Sequence, residues 1–151
     1  MVSWSDFESE APEIAEAGRR LLPVVAMLAT VSRTGRPRVH PFCPAIAEGQ
    51  LWAFVMLESP KRRDLDERGH YAIHALLGAD DEEFFIAGMA TRRNDENLRE
   101  IALAAMPYHD ADTRHILYEF QLERALWTRW ENFQQPGMRP IHRPWVDQHD
   151  R

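Results

Sequence analysis

Residues 59 to 65 read SPKRRDL and follow an apolar run, LWAFVML. Ser59 is a good helix N-cap and Pro60 a good first helical residue, so a short helix is predicted from Pro60 to about Arg68. Its first turn holds three consecutive cations, Lys61, Arg62 and Arg63. Asp64, Asp66 and Glu67 follow nearer its other end. That charge order opposes the helix macrodipole, whose N-terminus is already positive. Two readings resolve the conflict. A phosphate at the N-terminus could accept the free N–H groups, the Ser59 hydroxyl and charge-assisted bonds from Lys61 and Arg62. Alternatively the helix is a solvated surface element with pairs such as Lys61–Asp64 and Arg62–Asp66.

Other reactive side chains are sparser. His40 and Cys43 share one predicted strand. His40 suits either a structural hydrogen bond or a catalytic role. Cys43, with no base at motif spacing, reads as a buried structural thiol. His70 and His74 have the spacing of a metal pair on a helix, but a strand separates them by roughly 13 Å. Trp127 and Trp130 fall on opposite faces of a long strand. One is expected in the core, and the other, taken as Trp130, over a ligand or a subunit interface.

The elements that position these groups follow from periodicity. Ser5-Asp6-Phe7-Glu8 has capping-box form, and Ile14, Ala17, Gly18, Leu21 and Leu22 recur at helical spacing. A helical turn and a helix from Pro12 to Leu22 are predicted. Strands are predicted over Val24–Ser32, Pro37–Ala45, Leu51–Leu57, Tyr71–Leu77, Glu83–Arg93 and Ile116–Trp130. Tight turns at Thr34-Gly35 and Glu48-Gly49 make the first three an antiparallel meander. Leu98, Ile101, Ala102 and Ala105 mark a helix near Asp95–Ala105. The segment from Asn132 to the end is rich in Pro and Arg and reads as irregular. Six antiparallel strands with peripheral helices give a mainly β fold, closed into a small barrel, as one domain over residues 1–151.

Composition sets the class. With 44% hydrophobic and 28% charged residues, the 151-residue chain can build a core. A net charge of −6 argues against a nucleic-acid partner. A single cysteine, an acidic N-terminus and no membrane-length apolar run make a cytoplasmic location, away from membranes, the expectation.

The order of these features resembles the pyridoxamine 5′-phosphate oxidase-like, FMN-binding split-barrel superfamily. That pattern runs from a strand through a D/T-G-x-P turn and a V-x-P strand to a further strand and S-x-K-x-x-N/D-L. Gly35, Pro37, Val39, Pro41, Ser59, Lys61, Asp64 and Leu65 fit it, and Gly88 falls at the family's strand glycine. The resemblance covers about Val24 to Trp130. It implies a six-stranded antiparallel split barrel and a homodimer with FMN, or the deazaflavin F420, between subunits. It places the phosphate on Ser59, Lys61 and Arg62, and the ring along His40, Pro41, Phe42 and Cys43 and along Val55 and Met56. The oxidases proper carry Arg where this chain has Pro60 and Gln where it has Glu83, and the tail does not reproduce their substrate-binding ending. The implied function is a flavin-dependent oxidoreductase acting on a small substrate other than pyridoxine phosphate. The alternatives are an F420-dependent reductase, a non-catalytic flavin or F420 carrier, and, with least support, a haem-binding member.

Overall fold

The alternating run near Ile116 becomes a 17-residue strand, and the sheet is arranged about it. The computed structural model describes residues 1–22, 24–106 and 112–148. Its strands are β1 (Ala26–Val31), β2 (Pro37–Phe42), β3 (Pro44–Ala47), β4 (Gln50–Met56), β5 (His70–Ala75), β6 (Glu83–Arg93), β7 (His115–Glu131) and β8 (Arg139–Val146). Its α-helices are α1 (Trp4–Glu10), α2 (Pro12–Leu21), α3 (Pro60–Arg68) and α4 (Glu96–Ala105). The strand order is β2-β1-β5-β6-β7-β4-β3, with every pairing antiparallel. The two ends of that order, β2 and β3, are consecutive in the chain and separated only by Cys43. The two ends of the sheet are therefore joined through covalent chain rather than a continuous ladder.

Along one edge β7 pairs with β6. Along the other it pairs first with β4, through Phe120, and later with β8, from Arg124. The N-terminal segment fills the interval, with Val2 and Leu122 exchanging backbone hydrogen bonds of 2.9 and 2.8 Å. At Ala87/Gly88 the β6–β7 register shifts. There a Cβ on Gly88 would lie 2.0 Å from the Gln121 carbonyl oxygen, so only glycine fits the close approach. The β1–β2 turn is closed by Gly35 N–H donating to Ser32 O at 2.8 Å, with Gly35 at φ +80. Leu28, Ile73, Ile86, Phe120 and Val55 are fully buried inside the barrel, and Trp4 and Phe7 of α1 join that core.

Several expectations are corrected. The single strand expected over Pro37–Ala45 is broken at Cys43, and the tail read as irregular contains β8, so among the described residues eight strands replace six. Pro140 and Pro144 obscure β8 in sequence, yet an outer strand tolerates residues that cannot donate to a further ladder. The capping box is Ser3 with Asp6, not Ser5 with Glu8, and it starts a two-turn helix. The strand expected over Tyr71–Leu77 runs His70–Ala75 and leaves Leu76 and Leu77 exposed. Helices at Pro60–Arg68 and Glu96–Ala105 lie where the periodicity predicts, the latter capped by Asp95. Among the described residues, no helix is long and apolar enough to cross a membrane.

Candidate functional site

Ser59 caps α3, its Oγ accepting the Arg62 N–H at 3.2 Å. Gly69, left-handed, ends the helix by donating to Leu65 O. Between these caps the first-turn cations diverge. Lys61 reaches across to β2, where its Nζ donates to Pro41 O at 3.1 Å. Burial pushes this ammonium below the ordinary lysine range, an effect that the neighbouring Cys43 partly offsets. Arg62 turns back along its own helix. Its Nε donates to Leu57 O and its Nη1 to Asp66 Oδ2, each at 2.7 Å. Asp66 also accepts the hydroxyl of Tyr118, whose phenol is pushed far up by burial and then by that bond.

Asp64 is only 4% exposed and accepts from Thr30 Oγ1 at 2.8 Å. Arg38 completes the pair with Nε at 3.1 Å. Of the two ion pairs expected for a solvated helix, Arg62–Asp66 therefore forms. Lys61–Asp64 gives way to partners from β1 and β2. The adverse charge order of α3 is relieved largely within the protein.

Alternation along β2 turns Arg38, His40 and Phe42 to one face. His40 sits within electrostatic reach of Lys61, Arg38 and Asp64. Burial first, then the two cations, hold its imidazole below the ordinary histidine range, so it is neutral near pH 7. Its Nε2 is buried and has no hydrogen-bond partner. A buried polar atom left unpaired is costly, and a hydrogen-bond partner brought to it would offset that cost.

The structure thus brings together Ser59, Lys61, His40, Pro41 and Cys43. Phe42 and Val55 are core residues, 6% and 0% exposed, with the Phe42 ring centroid 6.0 Å from that of Phe120. Only their backbones could face a ligand. Met56 is half exposed at the end of β4. Arg62 is engaged elsewhere, and Trp130 donates to Asp81 O at 3.3 Å near the end of β7 remote from Met56. Sequence reasoning missed Arg38, Thr30 and Tyr118. The period-2 alternation from His40 was the available signal for Arg38, whereas Thr30 and Tyr118 come close only through the fold.

No family model matches the sequence, and no curated protein matches it. Solved structures do match. A haem-binding protein from Mycobacterium smegmatis aligns with TM-score 0.66 at 19% identity, over 88% of this chain. The chain spans 57% of that protein's length. A pyridoxamine 5′-phosphate oxidase-related, FMN-binding protein from Nostoc punctiforme aligns with TM-score 0.62 at 13% identity, over 94% of this chain and 96% of that one. A NimC/NimA family protein from Clostridium acetobutylicum aligns with TM-score 0.60 at 18% identity, over 93% and 94%. At such identities these likenesses define the fold. The chain has the antiparallel split-barrel fold of these structures.

Proposed function

We propose that the protein binds FMN with its phosphate at Ser59 and Lys61, and acts as a homodimeric flavin-dependent oxidoreductase on a small substrate. The observation that carries this reading is the placement of Lys61 against Pro41, beside the buried, unpartnered Nε2 of His40. A cation, a helix N-terminus and a neutral imidazole lie within electrostatic reach of one another there, a set that suits an oxyanion joined to a polar ring system. The backbone of β2 and β4, from His40 to Cys43 and at Val55 and Met56, would orient the ring. Arg62 would join the phosphate only by releasing Asp66. Trp130 would reach such a cleft only from a second copy.

FMN, when bound, supplies the electron chemistry. The chain's own residues would hold the phosphate, keep a neutral imidazole at the ring and exclude water. Nothing else in the cluster is placed as a general acid or base. F420 offers the same phosphate to Lys61, so the ring system must be read directly.

The absorption spectrum of purified protein is the first test, since FMN, F420 and haem have different visible bands. Steady turnover with a nicotinamide donor would separate enzyme from carrier. A charge-assisted hydrogen bond contributes about 1.5–3 kcal/mol. Lys61→Ala should therefore weaken FMN about tenfold to a hundredfold. Riboflavin, which lacks the phosphate, should be insensitive. Equal losses for FMN and riboflavin would remove the phosphate role from Lys61.

A further inference from the structure

The β1–β2 turn and α3 border an open cleft of about 320 Å³. Ser32, Arg33, Thr34, Arg38, Arg63 and Glu67 line it, with the buried Asp64 beneath. On a chain of net charge −6, three guanidiniums in one small cleft are an unusual concentration of positive charge.

The carboxylates there do not balance it. Asp64 is committed to Thr30 and Arg38. Arg33 and Arg63 are exposed and, among the described residues, form no ion pair. Among the residues that line the cleft, Glu67 is the carboxylate left to face them. Like charges held close cost free energy, and an oxyanion between them would offset that cost. Guanidinium forks fit phosphate and carboxylate oxygens in pairs.

The cleft is also preformed. Ser32 N–H donates to Arg36 O at 2.9 Å, and Arg68 Nη2 donates to Arg33 O at 2.9 Å, tying the turn to the far end of α3. The Ser32 and Thr34 hydroxyls lie 3.2 Å apart. Whichever donates to the other, one hydroxyl hydrogen remains for a ligand.

We infer that this cleft is a second oxyanion site, separate from Lys61, which takes a phosphate or carboxylate group of a ligand. The inference stands on the cleft's own residues and does not require a flavin.

Calorimetric titration with inorganic pyrophosphate and with citrate tests this on the full chain. Pyrophosphate, citrate or both should bind wild type. Arg63→Ala should weaken binding roughly tenfold, the loss of one charge-assisted bond. The Arg33→Ala/Arg63→Ala pair should weaken it further, and Arg63→Lys should retain part. Lys61→Ala should leave the arginine-dependent part of the binding in place. Binding of pyrophosphate only assigns the site to phosphate, and of citrate only to carboxylate. Both replaced arginines are exposed, and thermal melting of each variant checks that it folds. Loss in Lys61→Ala with Arg63→Ala unaffected would overturn the inference. So would no binding of either anion at millimolar concentration, or an equal loss in the remote Arg139→Ala. If FMN fails to bind while these arginine effects hold, the flavin reading fails and the cleft stands.

Discussion

Lys61 and Arg62 are neighbours in the chain with different fates in space. The i,i+4 rule is local, so the Arg62–Asp66 pair was legible in the sequence. The rule also offered Lys61–Asp64, which fails because Thr30 and Arg38, more than twenty residues away, satisfy Asp64 instead. No local spacing could reveal that competition. His40 shows a similar limit, since its position on β2 was legible but its cationic surroundings were not. Those surroundings give it a pH signature. Its folded pKa lies below the ordinary value of about 6.5. The folded state therefore binds fewer protons than the unfolded state in the window just beneath that value. Its contribution to stability is complete above about pH 6.5 and is lost as pH falls through the window. Denaturant melts between about pH 7.5 and pH 5 should show His40→Gln losing less stability than wild type. Equal slopes would mean that neither burial nor the cations Lys61 and Arg38 hold the ring below its ordinary value.

Among the elements, short-range signals located the turns and helices well. Ser59-Pro60 opened α3 where expected, and Gly35 closed the β1–β2 turn. What stayed hidden was pairing. A tail with Pro140 and Pro144 gives no clear alternation, yet β7 supplies an edge that holds it in register. Trp145 anchors that strand. It is 9% exposed, its ring centroid lies 4.8 Å from that of Phe7, and its Nε1 donates to Glu10 at 3.0 Å. Trp145→Ala should cost about 3–5 kcal/mol of unfolding free energy, read by chemical denaturation. A cost below about 1 kcal/mol would return the tail to an irregular role. Gly88→Ala tests the β6–β7 register in the same assay. Its new methyl meets backbone that cannot turn aside, so a loss of about 1–3 kcal/mol or more is expected.

For the whole molecule, the order of short motifs along the chain suggested a split barrel, and the arrangement of β1 to β7 agrees with it. The sequence could not show which apolar residues the barrel leaves outside. Val39, Met56 and Leu57 are 61%, 50% and 41% exposed, on β2 and at the end of β4, the strands of the proposed ring site. Among the described residues β2 pairs only with β1, and Pro37 and Pro41 limit its capacity to recruit another strand. The fitting partner is therefore a side-chain surface rather than an added strand. A second copy related by a two-fold axis would cover these residues twice over and close two equivalent sites. Light scattering at micromolar concentration should report two chains per particle. Met56→Glu should shift that toward one chain and weaken FMN together, because a carboxylate would be forced into an apolar contact. Its melting in the monomeric form should change little, since the side chain is already half exposed within one chain. A monomer that keeps full FMN affinity would show that the site is complete within one barrel, and the shared cleft would then be wrong.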